Sequence, residues 1–326
     1  MKGGVSIAVD EINAEGGIAG KKLEVIYEDG KCIDTKSAVS AAQKLITIDK
    51  VNIILGGGCS NEALSIVHLL EESNTLLLSS GASSPALSGL SKNVFRNAPS
   101  DAQTGEKIAA YMFSKHFRKV AIVSDQTDYS KGFRDSFLKS FANLGGFVVE
   151  DISVSPKGSD YRTDLVKLKG KEIDAIFINP NVPVSAGIIA RQVRELGMNQ
   201  QLFFAYHATP DLVRTGGDAV NGAVIINVPT PENDAAKRIL KRFEEKYGKS
   251  TVYPYNTLAA YDAAMLIAQG IKKAGSKTED VRSYLHELKN FTGALGSYHF
   301  DERGDIQDLQ YRFERVEGGK FVDIVE

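Results

Sequence analysis

Short apolar runs alternate with helix-like segments along most of this 326-residue chain. Residues 51–55 form one such apolar run, and the three glycines after it are typical of the end of a buried parallel strand. Val5, Ala8 and Ile12 instead fall at helical spacing, ahead of a pair of glycines that ends the helix. This alternation predicts parallel sheets with helices on both faces.

The predicted strands cover residues 23–27, 51–55, 75–78, 119–124, 147–152, 174–178, 202–205 and 223–228. The first predicted helix begins near residue 5. The other predicted helices cover residues 37–48, 61–72, 101–114, 130–143, 161–168, 184–196, 233–247, 256–274 and 278–288, and a β-rich tail follows the last of them. Two sets of about five strand–helix units predict two doubly wound α/β lobes in place of one large sheet. Because no low-complexity or Pro/Ser-rich stretch separates the sets, we expect short strand-like crossovers between the lobes.

Composition excludes several classes of partner. Hydrophobic residues make up 43% of the chain and charged residues 25%, as in an ordinary water-soluble globular protein. A net charge of −2 gives no electrostatic reason to bind nucleic acid or an anionic membrane surface. No apolar run approaches the roughly 20 residues needed to span a bilayer. Two cysteines and five scattered histidines show no metal-ligand spacing, so we expect no metal and no cofactor.

The motifs of common α/β enzymes are missing from the sequence. The three glycines at 56–58 are not followed by the third glycine of GxGxxG, and no P-loop, GxSxG or HExxH occurs. Ser60, Asp101 and His207 can be drawn as a triad, but nothing in their spacing favours one. We therefore expect a binding protein without catalytic residues, and an α/β enzyme is the least favoured alternative.

Two loops rich in small hydroxyl residues follow predicted strands at residues 56–61 and 79–84. In open α/β sheets, ligands bind outside the carboxyl ends of the strands. Hydroxyl and backbone N–H groups at the start of a helix stabilise an anion there, so these loops predict a cradle for a carboxylate. The same serines also fit a purely structural role as helix N-caps, and one residue can serve both purposes.

The cysteines and the start of the chain leave alternatives open. Cys32 and Cys59 each follow a predicted strand, and neighbouring parallel strands would bring the two loops together. A disulfide there would stabilise the fold by roughly 3–4 kcal/mol, whereas two half-buried free thiols fit the spacing equally well. Because Met1 leads into the chain without the features of a signal peptide, we expect either a cytosolic protein or one whose targeting segment is not part of this chain.

Several motifs together resemble the branched-chain amino-acid-binding proteins of ABC importers, which have the type I periplasmic binding protein fold. The match covers nearly the whole length. Its most specific pieces are residues 3–20 (GGVSIAVDEINAEGGIAG), 94–96 (VFR), 100–101 (SD), Gly105, Asp125, Tyr129, Gly132, 260–263 (AYDA) and 300–305 (FDERGD).

The resemblance implies two lobes that are joined by three crossovers and close on a ligand like a hinged clamp. Lobe 1 is expected to comprise 1–100 and 229–307, and lobe 2 to comprise 101–228 and 308–326. It also implies a monomer in the periplasm or outside the cell, either soluble or tethered as a lipoprotein. Such a protein delivers an amino acid or another small carboxylate to a membrane permease.

Site residues follow from the resemblance position by position. Ser60 and Ser83 match hydroxyl residues that grip the ligand carboxylate, and Gly81 matches a position that offers backbone groups. Asp101 matches a carboxylate that pairs with the ligand ammonium, and Tyr129 matches an aromatic residue that covers the ligand. Cys32 and Cys59 match a disulfide of lobe 1.

The chain also departs from the family pattern. His207 stands where leucine-type binders place a glutamate for the ligand ammonium, and a histidine cannot replace a fixed negative charge. The loop that contains Val182 lacks the family's aromatic residue, which predicts a different side-chain pocket. The first strand of lobe 1 and the loop after it are also absent. We therefore keep two alternatives, a binder of aromatic or aliphatic acids without an ammonium and a ligand sensor on the same fold.

Overall fold

The protein is described by a computed structural model over residues 1–248 and 253–324. Its contacts divide the chain into two compact units. Unit 1 consists of Met1–Ser100 and Thr230–Leu309, and unit 2 consists of Asp101–Pro229 and the segment from Gln310 onward. The chain therefore passes between the units three times.

The helices are α1 (Lys2–Ala14), α2 (Thr35–Gln43), α3 (Ser60–Glu72), α4 (Asp101–Ser114), α5 (Asp128–Asn143), α6 (Arg162–Leu165), α7 (Pro183–Glu195), α8 (Pro210–Gly216), α9 (Asp234–Tyr247), α10 (Pro254–Ala274) and α11 (Thr278–Glu287). The strands are β1 (Ile53–Leu55), β2 (Leu76–Ser79), β3 (Val94–Arg96), β4 (Lys119–Asp125), β5 (Phe147–Val154), β6 (Ala175–Asn179), β7 (Gln201–Ala205), β8 (Val224–Asn227), β9 (Phe291–Gly293), β10 (Gly296–Tyr298), β11 (Arg312–Glu317) and β12 (Lys320–Asp323). Most elements therefore lie where the sequence pattern predicts them.

Unit 1 is built on a parallel sheet of order β1-β2-β3. Leu77 faces a core formed with α2 and α3, whereas its neighbours Leu76 and Leu78 face a second core formed with α10 and α11. All three leucines are fully buried. Since side chains alternate across a strand, apolar residues at successive positions require cover on both faces, and the helices provide it.

Unit 2 contains a seven-stranded sheet of order β12-β11-β8-β7-β6-β4-β5. Strands β4 to β8 run parallel, and β11 and β12 are added antiparallel at one edge. Along β4, Ala121 and Val123 face the core that includes α7, whereas Val120 and Ile122 face α4 and α5. The prediction of an α/β fold with doubly wound parallel sheets is confirmed.

Three details differ from the sequence-based predictions. Residues 23–27 are not a strand and pair with no strand among the described residues. The backbone of Leu23 instead pairs with the Asn13 side chain, which donates to its carbonyl oxygen at 2.9 Å and accepts from its N–H at 2.7 Å. The sheet of unit 1 accordingly has three strands in the described residues, fewer than the roughly five strand–helix units expected from alternation. Strand β3 and helix α8 were not predicted, since each is only one short run of residues.

Candidate functional site

Ser60 lies at the start of α3, directly after the glycine loop that follows β1. Its side chain is buried, and its Oγ accepts a hydrogen bond from the Ser84 backbone N–H at 3.0 Å. A hydroxyl that accepts from the backbone keeps its own proton for donation. Ser60 is therefore placed to donate to an anion at the N-terminal end of α3, where the helix dipole also favours negative charge.

The loops after β1 and β2 approach each other closely at Gly81. A Cβ atom at this position would lie 2.3 Å from the Gly58 carbonyl oxygen, so only glycine fits without a shift of the backbone. Ser79 fixes this approach, because its Oγ donates to the Gly57 carbonyl oxygen at 2.8 Å and accepts from the Ala82 N–H at 3.1 Å. This role of Ser79 was not predicted from the sequence, although a serine that ends a fully buried strand was the available signal.

A buried ion pair supports the loop that carries Ser83. Arg96 donates through Nε to Asp305 Oδ1 at 2.7 Å, and the two side chains are only 1% and 6% exposed. The same guanidinium donates through Nη1 to the Ser84 carbonyl oxygen and through Nη2 to Ser88 Oγ, both at 2.7 Å. The VFR and FDERGD motifs are far apart in the sequence, but Arg96 and Asp305 bring them into contact next to the loop of the predicted carboxylate cradle.

The disulfide between Cys32 and Cys59 is present, with a Cα–Cα distance of 5.3 Å, so this prediction is confirmed. Cys59 is the residue before Ser60, and the bond therefore anchors the start of α3. Glu62 adds a second link, because its Oε1 accepts from the Cys32 N–H at 2.8 Å.

In unit 2, Asp101 and Tyr129 lie near each other at the first turns of α4 and α5. Asp101 is fully buried, and Tyr129 is 9% exposed. Burial is the main reason why the pKa of the Tyr129 phenol lies well above its usual value, and the negative charges of Asp101 and Asp125 raise it further. The phenol therefore stays protonated and keeps its hydrogen-bond donor across the physiological range.

The carboxyl ends of β4, β6 and β7 bring Asp125, Val182 and His207 to one edge of the sheet. Asp125 accepts from the Thr127 N–H at 3.0 Å and hydroxyl at 2.6 Å, and its other oxygen accepts from the Asn181 N–H at 2.7 Å. These bonds hold the loop that carries Val182, whose apolar side chain is 38% exposed. Asp125 was identified from the sequence only as part of a motif, and its supporting role was not predicted.

His207 is buried, and both of its ring nitrogens lie against backbone carbonyl oxygens. Nε2 is 2.8 Å from the Pro180 oxygen, and Nδ1 contacts the Ala205 oxygen. Burial lowers the pKa of the imidazole, while the two carbonyl oxygens and the charge of Asp125 favour the protonated ring and so act in the opposite direction. The ring therefore braces the loop after β6, and direct ligand binding by His207 stays a prediction.

The AYDA motif has a structural role in unit 1. Asp262, on α10, accepts from the backbone N–H groups of Ala294 at 2.7 Å and Leu295 at 2.9 Å, and so holds the turn between β9 and β10. Burial raises the pKa of Asp262 to about 7, although these two bonds act to lower it. The carboxyl also borders a cavity of about 410 Å³ between α9, α10 and the hairpin.

Within residues 1–248 and 253–324, no three side chains of His, Cys, Asp or Glu converge in the manner of a metal site. None of its helices has both the length and the apolarity to cross a bilayer.

Residues 1–320 match the protein family described as "Periplasmic binding protein". The chain belongs to this family. It is 32% identical to the Leu/Ile/Val-binding protein BraC3 of Rhizobium johnstonii, over 99% of this chain and 88% of that protein.

Solved structures of binding proteins share the fold over nearly the whole chain. A leucine-binding protein LivK from Thermotoga maritima has a TM-score of 0.88 and 26% identity, covering 99% of this chain and 92% of its own. LivJ from Streptococcus pneumoniae, solved with isoleucine, has a TM-score of 0.86 and 26% identity, covering 99% and 93%. A benzoate-bound solute-binding protein from R. palustris, at 17% identity, TM-score 0.82 and coverage of 98% and 90%, shares the fold.

Proposed function

We propose that this protein is the extracytoplasmic substrate-binding protein of an ABC importer and that it captures an aliphatic α-amino acid. Support comes from relatives whose names specify leucine, isoleucine and valine, and from the arrangement of Ser60 with Gly81 and Ser83. In this proposal the chain acts as a monomer, passes its ligand to a membrane permease and catalyses no reaction. Units 1 and 2 are the two lobes, whose closure on the ligand stays part of the proposal.

The observation that carries the proposal is the Ser60 hydroxyl at the start of α3. A ligand carboxylate only accepts hydrogen bonds, and Ser60 Oγ already accepts from the Ser84 N–H, so its proton is the complementary group. Ser83 and the backbone at Gly81 are proposed to complete the carboxylate site. Asp101 is proposed to pair with the ammonium and Tyr129 to cover the ligand, while Val182 contributes apolar surface for the side chain.

A thermal-shift screen tests the ligand class directly. The purified protein is heated with single amino acids and, in parallel, with the matching carboxylic acids that lack the amino group. At a ligand concentration of about 100 Kd, binding stabilises the folded state by about 2.7 kcal/mol, which produces a clear shift in Tm. Stabilisation by leucine, isoleucine or valine supports the proposal, and stabilisation by the acids alone refutes it.

Site-directed variants test the carboxylate cradle. Losing one hydrogen bond to a charged ligand group costs about 1.5–3 kcal/mol, so Ser60→Ala and Ser83→Ala should each weaken binding by roughly 10-fold to 100-fold. Ser65→Ala is a control on the same helix, because the Ser65 hydroxyl donates to the Glu62 carbonyl oxygen and should not contribute to binding. Unchanged affinity in both cradle variants would place the carboxylate elsewhere.

A binder of aromatic or aliphatic acids is the second candidate. The buried histidine at position 207 supports this candidate, because neither the neutral nor the protonated form of histidine provides a negative charge for an ammonium. The screen separates the two candidates, since benzoate would then stabilise the protein and leucine would not. A sensor on the same fold is separated from a transport protein by a transport assay with the cognate permease.

A further inference from the structure

Tyr206 is held in a backbone conformation that is unusual for its size. It follows β7 directly, and its φ of +57° lies in the left-handed region. A residue with a Cβ atom pays a steric cost there, which glycine avoids. Such strain persists where the surrounding contacts fix the residue, and it is concentrated at ligand sites and switches.

The contacts of the Tyr206 side chain show what fixes it. Its hydroxyl is hydrogen-bonded to Thr104 Oγ1 on α4, and Thr104 Oγ1 also donates to the Tyr311 hydroxyl at 3.3 Å. The ring packs edge-on against Phe133, with the ring centroids 6.2 Å apart. The Tyr206 N–H donates to the Ile226 carbonyl oxygen at 2.9 Å. The end of β7 is therefore tied through one phenol to the first turns of α4.

This contact reaches Asp101 through the geometry of the helix. Thr104 lies three residues after Asp101, and residues three apart are neighbours on one face of a helix. The electrostatic influence of Asp101 on the Tyr206 phenol is consistent with this proximity. His207, the next residue, braces the loop after β6 instead. Of the two residues that follow β7, Tyr206 therefore contacts the first turn of α4, and His207 contacts the loop after β6.

We propose that Tyr206 is a positioning residue: by holding Thr104, its hydroxyl fixes the first turn of α4 and thereby the Asp101 carboxylate that selects ligands with an α-ammonium. The inference depends on the proposed function, in which Asp101 pairs with that ammonium. It explains why a tyrosine occupies a left-handed position, because the side chain contributes a contact that glycine would lose.

The test measures the Kd of L-leucine and of 4-methylpentanoate, the same acid without its amino group, by isothermal titration calorimetry. In Tyr206→Phe, which removes only the hydroxyl, leucine affinity should fall about 10-fold while 4-methylpentanoate affinity stays within twofold. Thr104→Val removes the other partner of the bond and should give the same selective loss. The double variant should be no worse than Thr104→Val alone, since Thr104→Val already breaks the bond to Tyr206 along with the bond to Tyr311.

Two controls separate positioning from a general loss of stability. Thr104→Ser keeps the hydroxyl and should restore the affinity for leucine. Tyr161→Phe removes another phenol hydroxyl of unit 2, one that donates to the Gly158 carbonyl oxygen at 2.5 Å, and should change neither affinity.

Wild-type affinity for leucine in Tyr206→Phe would overturn the inference, as would an equal loss for both ligands. In both cases the proposed function stands, because the wild-type protein still binds leucine. If the wild-type protein binds 4-methylpentanoate and no amino acid, the proposed function itself fails, and this inference fails with it.

Discussion

Removing the Asp305 carboxylate should destabilise unit 1 far more than removing an exposed partner would. Asp305→Ala leaves the Arg96 guanidinium, 1% exposed, without its counter-charge. Breaking a buried ion pair from one side costs about 3–5 kcal/mol, because the remaining charge stays in a poorly solvated interior. The variant also loses the acceptor for the Ser88 hydroxyl, which donates to Asp305 Oδ2 at 2.6 Å, so the cost should lie in the upper part of that range.

Equilibrium unfolding in urea measures this cost, with the free energy of unfolding obtained by linear extrapolation. Glu172→Gln is the matched control. It breaks the pair between Lys119 and Glu172, whose side chains are 49% and 85% exposed, and should cost less than about 1 kcal/mol. The double variant Arg96→Met/Asp305→Ala should be more stable than Asp305→Ala alone, because no orphan charge remains. A cost below about 1 kcal/mol for Asp305→Ala would refute the buried-pair argument.

Three further predictions concern covalent and titrating groups. The variant Cys32→Ser/Cys59→Ser should be about 3.5 kcal/mol less stable in urea, since the bond closes a loop of 27 residues; dithiothreitol should destabilise only the wild type. The pKa of Asp262 is raised to about 7 in the folded state, so below this pH the folded state binds more protons than the unfolded state. The free energy of unfolding of the wild type, relative to that of Asp262→Asn, should therefore grow as pH falls from 8 to 5. A difference that does not depend on pH would contradict this. The pKa of His207 is lowered by folding, so at acidic pH the unfolded state binds more protons than the folded state. Acidification below about pH 6.5 should therefore lower the Tm of the wild type more than that of His207→Asn. Equal losses of Tm would show that His207 does not titrate in this range.

Much of the fold follows from local patterns in the sequence. Apolar runs such as β6 and periodic segments such as α7 are long enough to identify their own structure. Residues 23–27 were predicted wrongly because an apolar-rich segment forms a strand only when a neighbouring backbone is available, and among the described residues no strand pairs with them. Pairing with a distant partner is not visible in a single local pattern.

The same difference between local patterns and distant partners decides which residues of the candidate site could be predicted. Small residues at strand ends pointed to Ser60, Gly81 and Ser83 because loop chemistry is local. The supports of the site were missed, since Arg96 reaches Asp305 across 209 positions of the chain. Tyr206 carried no sequence signal, because its backbone conformation arises from packing in three dimensions.

The outer strands of unit 2 bear on how the protein is made. Strand β8 pairs on one side with β7 and on the other with β11, where Ile225 lies opposite Glu314. The ribosome must therefore synthesise the chain as far as β11 before this second edge of β8 is covered. Until then the newly made polypeptide presents an open row of backbone donors and acceptors, of the kind that pairs readily with other chains. Holdase chaperones that bind unfolded chains should accordingly protect the nascent protein until β11 emerges.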